Sequence, residues 1–211
     1  MKRKVKRSYD STRRREQATE TRRLIIRAAH DLFVGKGYGR TTMAEVAAAA
    51  GVAVETVYAA YCNKPTLLRQ VWYATFRGDE ADIRLLHRPE IRAVLAEPDL
   101  AARLRAQAVV YLPVFRRITP LLRALQGAAT SEPEAAAMLA EFDEQRLDAA
   151  GHYARAAVAT GQLAISEEEC RDVLASTLDG ALWHRLVEEG GWSEDRFAQL
   201  LGTIWVATLA R

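Results

Sequence analysis

Cysteine is scarce in this sequence, which has only Cys62 and Cys170 among its 211 residues. The two thiols lie far apart and match no spacing of a disulfide framework or a metal site. Long apolar runs are also absent, since no stretch approaches the roughly 18 consecutive apolar residues of a membrane-spanning helix. The basic N-terminus is not followed by the apolar segment of a secretory signal. The sequence therefore predicts a cytoplasmic protein with reduced thiols.

Signatures of catalysis are lacking as well. The four histidines show no metal-ligand spacing, and the sequence contains no nucleophile elbow and no phosphate-cradling glycine loop. Gly35, Gly37 and Gly39 follow a helical pattern, so they indicate a loop that ends a helix. We therefore expect no enzyme activity, no cofactor and no metal.

Charge is distributed unevenly along the chain, although the formal net charge is only +3. Residues 1–70 contain 15 Lys and Arg against 6 Asp and Glu, whereas residues 71–211 contain 15 against 21. A basic head on an acidic body is the asymmetry expected when one end of a protein meets a polyanion. The pattern favours nucleic acid as a partner of the head, although a solvated basic tail gives the same counts.

Apolar periodicity predicts an all-α chain. Apolar residues recur at three- and four-residue steps, and no strictly alternating segment indicates a strand. The predicted helices lie near 16–34, 42–50 and 54–61, from 63 onward, and near 81–96, 99–118, 120–129, 133–160, 167–189 and 194–210. The expected domains are a basic, disordered arm over 1–15, a DNA-binding domain over 16–70 and a ligand-binding and dimerisation domain over 71–211.

The segment between residues 42 and 61 has the spacing of a helix-turn-helix. Thr42 and Glu45 form a capping-box pattern that begins a short helix. Ala47 supplies a small side chain in this helix, and Gly51 supplies the permissive backbone that a tight turn requires. The second helix, 54–61, would then enter a DNA major groove. A helical hairpin without DNA activity is the alternative.

Residues 20–70 resemble the DNA-binding domain of TetR-family repressors, nearly position by position. The matching residues are Ile26-Arg27-Ala28-Ala29-His30-Asp31-Leu32-Phe33, Gly37-Tyr38, Thr41-Thr42-Met43, Val46-Ala47, Ala50-Gly51-Val52, Thr56-Val57-Tyr58, Tyr61, Lys64 and Leu67-Leu68. The resemblance implies a TetR-like all-α fold, with an N-terminal helix-turn-helix domain and a helical C-terminal ligand-binding and dimerisation domain.

The resemblance also implies a set of phosphate contacts. It assigns Thr42, Thr56 and Tyr58 to DNA phosphates, and it assigns Lys64 to another. A cation in the first turn of a helix opposes the helix dipole, and a phosphate bound at the same helix end would offset that cost. Tyr61 is included in the DNA-binding set, at a position where the family usually has Phe or Val.

Base edges would meet the start of the second helix. Ala53 and Val54 can contact thymine methyl groups, and Glu55 can accept a hydrogen bond from cytosine N4. Glu55 can equally cap its neighbours or point to solvent. The arm, residues 1–15, has eight basic side chains and one acid, and it would track phosphates or enter a minor groove.

The C-terminal helices predict a dimer surface. Apolar residues form a wide stripe over 194–210, too wide for a helix half in water. Its members are Phe197, Leu200, Leu201, Ile204, Trp205, Thr208 and Leu209. The resemblance implies that residues 167–210 form a four-helix homodimer bundle, within which Leu201 and Trp205 are expected to hold the dimer together. The alternative is that both stripes face only their own core.

The middle helices are expected to enclose a pocket for a small-molecule inducer, because the resemblance places the pocket of the family there. The candidate lining residues are Trp72, Phe76, Gln107, Tyr111, Phe115, Met138, Phe142, Tyr153 and Trp183, with Gln145, His152 and His184 as further polar candidates. Any of these aromatics can equally be plain core. The predicted function is a repressor that binds a palindromic operator as a dimer and is released by a ligand. A constitutive or architectural DNA-binding protein is the alternative.

Overall fold

The computed structural model of the chain describes residues 6–78 and 85–211, and within them it is helical. The helices are α1 Lys6–Gly35, α2 Met43–Ala50, α3 Val54–Tyr61, α4 Lys64–Arg77, α5 Pro89–Ala96, α6 Leu100–Val110, α7 Leu112–Ala128, α8 Pro133–Val158, α9 Glu167–Thr177, α10 Ala181–Trp183 and α11 Glu194–Leu209. The described part contains no sheet, only an isolated antiparallel bridge between Leu163 and Ala210. The expected all-α fold is confirmed.

The head is a small domain in which α1 packs against α2 and α4. Its core contains the fully buried side chains of Ile25 and Phe33 from α1, Val57 from α3 and Leu67 from α4, together with Val46 from α2. Each buried side chain of this size contributes roughly 1.5–3 kcal/mol relative to exposure. Burial therefore fixes the two short helices, α2 and α3, which would not be stable alone.

The body is built on α6 to α11, with α11 lying against α6 and α9 against α8. At the crossing of α11 and α6, a Cβ atom on Gly202 would lie only 3.2 Å from the Cα atom of Arg105. Glycine therefore allows these two backbones to approach closely. The rings of Phe115, Trp183 and Phe197 pack against one another with centroids 5.1–5.7 Å apart.

Two helix boundaries differ from the expectation. Helix α1 begins at Lys6 rather than near Glu16, so the arm expected to be disordered is helical over residues 6–15, and residues 1–5 lie outside the described part. The predicted break at Pro120 is also wrong, because α7 continues through that proline. The chain breaks instead at Tyr111, just before Pro113, whose missing amide cannot continue the hydrogen-bond ladder of α6.

The single helix predicted for 167–189 is also divided. Helix α9 ends at Thr177, and Gly180 follows with a left-handed φ of 80°. The short α10 then runs into a π-helix, His184–Glu189. Within the described residues no single helix has the length and hydropathy of a membrane span. The one pair that reaches these values together, α2 with α3, is bent by 112°.

Candidate DNA-binding surface and ligand cavity

The helix-turn-helix consists of α2, a turn at Gly51 and α3. Thr42 caps α2, since its hydroxyl accepts a hydrogen bond from the Glu45 amide at 3.3 Å and donates one to the Glu45 carboxylate at 3.1 Å. Gly51 has φ 67° and ψ 33°, and its amide donates to the Ala48 carbonyl at 3.2 Å. The predicted capping box and glycine turn are confirmed.

Helix α3 presents one face to solvent. Val57 on its inner face is fully buried, whereas the Tyr58 side chain next to it is 49% exposed. The structure brings five of the predicted DNA contacts together on or beside the outer face: Ala53, Val54, Glu55, Thr56 and Tyr58. Of these only Val54 is half-buried, because it also packs against the core of the head. The exposed stretch is two helical turns long, the amount of helix that a major groove admits.

Lys64 and Tyr61 have roles that the sequence did not predict. The Lys64 ammonium donates to the carbonyls of Tyr38 at 3.1 Å and Gly39 at 3.4 Å, and it lies 4.3 Å from the Tyr38 ring centroid. It thereby ties the α1–α2 loop to α4, which corrects the phosphate assignment. Tyr61 is only 5% exposed, and its hydroxyl donates to the Arg22 carbonyl at 3.4 Å. Tyr61 is therefore a core residue and lies off the exposed face.

An ion pair at the base of α2 supports the same surface. Lys36 at the end of α1 contacts the Glu45 carboxylate. Hydrogen bonds from Lys36 and Thr42 lower the pKa of Glu45 to about 2. Glu45 therefore stays ionised at neutral pH, and the capping box persists with it. The exposed arginines of α1 add positive charge to this domain; they are Arg13, Arg14, Arg15, Arg22, Arg23 and Arg27.

The body encloses a cavity of about 430 Å³ between α4, α7 and α8. Five of the predicted lining residues do line it: Trp72, Phe76, Tyr111, Phe115 and Phe142. The Trp72 ring stacks on Phe142 with centroids 3.6 Å apart and on Phe76 with centroids 6.3 Å apart. The inner wall of the cavity is thus aromatic. Gln145, a further predicted candidate, also lines it.

The other candidates do not line this cavity. Gln107, Met138 and Trp183 are buried in the core. Tyr153 is buried behind the cavity wall, where its hydroxyl accepts a hydrogen bond from Tyr111 at 3.0 Å. Burial raises the pKa of Tyr153 to about 12 and raises that of Tyr111 as well. Both hydroxyls therefore stay neutral, and Tyr111 offers the cavity its ring.

His152 and His184 likewise lie elsewhere. A ring nitrogen of His152 is 2.8 Å from the Arg155 guanidinium. His184 contacts the carboxylates of Glu188 and Glu189 at 2.5 and 3.2 Å. These imidazoles belong to local surface clusters on α8 and the π-helix.

Sequence reasoning missed the charged residues of the cavity. Asp143, Asp148 and Asp179 line it together with Arg146. The Arg146 guanidinium donates to the Asp143 carboxylate at 2.8 Å and also contacts the carbonyl of Ala175. An exposed aspartate on a helix carries no sequence signal that separates a cavity rim from ordinary surface.

The predicted dimer surface also needs a correction. Leu201 and Trp205 are fully buried within one protomer, and the Trp205 indole donates to the Thr177 hydroxyl at 2.8 Å. They belong to the core between α9 and α11. Leu200 and Ile204 on the neighbouring face of α11 are only half-buried. These two are the large apolar side chains of α11 that a second copy could cover.

Comparison with known proteins agrees with this geometry. Residues 25–71 match the family described as bacterial regulatory proteins, tetR family. The N-terminal domain belongs to the tetR family. Within it, 57 residues are 42% identical to the HTH-type transcriptional regulator TtgR of Pseudomonas putida, a match that spans 27% of this chain and 27% of that protein.

The TetR-like fold extends over the whole chain. The structure is similar to that of SmeT in its complex with triclosan, with a TM-score of 0.67 and 20% identity over 90% of this chain and 92% of that chain. It is also similar to NalD, the secondary repressor of the MexAB-OprM multidrug efflux pump in Pseudomonas aeruginosa. Here the TM-score is 0.64, with 20% identity over 93% of this chain and 98% of that chain. At these identities the similarity shows the fold, and the predicted TetR-like architecture is confirmed.

Proposed function

We propose that the chain is a transcriptional repressor that binds a palindromic operator as a homodimer and leaves it when a small molecule occupies the cavity. The observation that carries the proposal is the exposed outer face of α3 on a tetR-family helix-turn-helix. Helix-turn-helix proteins place the second helix of the motif in the major groove. The names of TtgR and NalD as transcriptional regulator and repressor support the same role.

The proposed DNA contacts divide into positioning and reading groups. The hydroxyls of Thr56 and Tyr58 would donate to phosphates, which fix orientation without reading sequence. The methyl groups of Ala53 and Val54 would meet thymine methyls, and Glu55 would accept from cytosine N4. The outer face of α3 offers no Arg or Lys for guanine. We therefore expect DNA shape and the basic N-terminal helix to add to specificity and affinity.

The proposed dimer is formed by residues 167–210. Leu200, Thr203, Ile204 and Ala207 recur on the outer face of α11 at the three- and four-residue steps of one helical stripe, and all four keep accessible surface. A two-fold axis would place the stripes of two copies against each other. Such a dimer holds two reading heads at the fixed separation that a palindrome demands.

Helix α4 is the proposed link between cavity and head. At its start, Lys64 holds the α1–α2 loop, and two turns later Trp72 and Phe76 line the cavity. A ligand that binds more tightly to one position of α4 shifts the head toward that position. A shift that changes the separation of the two heads would lower operator affinity. The triclosan bound to SmeT shows that a protein of this fold can hold a small apolar molecule.

DNA selection from a random pool tests the proposal. The full chain should enrich a palindrome, and titration of that duplex should show two protomers per site. Tyr58→Phe removes an exposed hydroxyl and should weaken binding, whereas Tyr73→Phe removes a hydroxyl bonded to Glu141 and should leave DNA affinity unchanged. Failure to enrich any sequence would refute the proposal. Operator binding without any response to a cavity ligand would favour a constitutive DNA-binding protein.

A further inference from the structure

The cavity has an uneven distribution of polar groups. Its inner wall consists of aromatic and aliphatic side chains, and the one hydroxyl on that wall, on Tyr111, is already bonded to Tyr153. The amide nitrogen of Gln145 donates to Tyr73 and Glu141, at 3.2 and 3.3 Å. The interior thus favours an apolar body with few hydrogen-bonding groups.

The rim of the cavity carries net negative charge. Asp148 is exposed at this rim, and the half-buried Asp179 accepts a hydrogen bond from the Ala181 amide at 2.9 Å, which leaves its charge unneutralised. Asp143 is paired with Arg146. Three carboxylates therefore face one guanidinium, which is itself engaged. Carboxylates beside a low-dielectric wall raise the local concentration of cations and disfavour anions.

We propose that the cavity selects amphiphilic monocations, with an aromatic body among Trp72, Phe76 and Phe115 and a positively charged head at Asp148 and Asp179. The proposal rests on the proposed function, because it takes the cavity as the ligand site. A bulky organic cation suits this site, because it is weakly hydrated and the ring faces nearby add cation–π attraction. An anion would have to displace Asp143 from Arg146 while facing the other two carboxylates.

Calorimetry with three matched probes tests this inference. 4-Phenylbutyltrimethylammonium, 4-phenylbutanol and 4-phenylbutyrate share one aromatic body and differ in the charge of the head. The cation should bind about tenfold more tightly than the alcohol, and the carboxylate should bind most weakly. The double variant Asp148→Asn/Asp179→Asn should reduce the cation to the affinity of the alcohol. Asparagine can still accept the Ala181 amide, so the fold should be kept.

Two further variants complete the design. Glu144→Gln removes one exposed charge from the same helix outside the cavity lining, and it should leave all three affinities unchanged. Ala149→Trp fills the cavity and should abolish binding of all three probes. Equal or tighter binding of alcohol or carboxylate would overturn the inference, as would a cation preference that survives the double aspartate variant. Because these measurements contain no DNA, a failure here leaves operator binding and release to their own test.

Discussion

Replacing Lys64 by methionine should destabilise the protein, because it removes the clamp between α4 and the α1–α2 loop while keeping the length of the side chain. A hydrogen bond from a charged group contributes about 1.5–3 kcal/mol, and the half-buried position of Lys64 favours the low end. We count the 3.1 Å bond to Tyr38 fully and the 3.4 Å bond to Gly39 as negligible. The Tyr38 ring contact adds about 0.5 kcal/mol.

The helix dipole acts in the opposite direction, because a cation in the first turn of α4 costs about 0.3–0.5 kcal/mol that the variant recovers. The net loss for Lys64→Met is about 1.5–2 kcal/mol, which corresponds to a decrease in Tm of about 3–8 °C for a chain of this size. Urea unfolding measures the free energy directly. Arg27→Met is the matched control, since it removes an exposed cation from the same domain and should cost less than about 0.5 kcal/mol.

The salt dependence of DNA binding separates the clamp from a phosphate contact. A lysine that contacts phosphate would make the slope of log affinity against log salt shallower by about 0.9 per subunit when it is removed. We expect Lys64→Met to lower affinity with an unchanged slope, because the ammonium is bonded to carbonyls. A shallower slope with unchanged stability would refute the assignment of Lys64 as a clamp.

The remaining predictions concern the turn, the dimer and the N-terminal segment. Gly51→Ala should cost about 1–2 kcal/mol in urea unfolding, because φ is 67° while open space surrounds the new methyl group, and Gly51→Asn should cost less. Leu200→Glu with Ile204→Glu should give folded monomers by sedimentation, whereas a dimer that survives both changes would exclude this face. Deleting residues 1–15 should make the salt slope of DNA binding shallower by a few units per dimer of about 0.9 each, with operator preference kept; an unchanged slope would contradict a phosphate role for this segment.

The helix-turn-helix was predictable from sequence because its signals are local. The capping box of Thr42 and Glu45, the left-handed Gly51 and the Asn63 cap each act within one helical turn. Such signals depend on the residue and its near neighbours alone. The structure confirms all of them at the positions that the pattern indicates.

Roles that depend on distant contacts were not predictable. Lys64 bonds to a carbonyl 26 residues away and Tyr61 to one 39 residues away. The burial of Trp205 depends on how α11 is rotated against α9, and an apolar stripe does not reveal whether its own core or a partner covers it. In α8, Phe142 lines the cavity while Met138 one turn earlier does not, because the neighbouring helices cover the two positions differently.

The central claim is that one molecule couples operator binding to occupation of the cavity. Its most direct test is a fluorescence anisotropy titration of the selected operator, with and without a saturating concentration of a compound shown by calorimetry to bind the cavity. The account predicts two protomers per palindrome and an affinity that falls about 5- to 150-fold when the ligand is present. The Ala149→Trp variant should bind the operator but lose the response to that ligand. An operator affinity that stays constant while the ligand saturates the cavity would contradict the account.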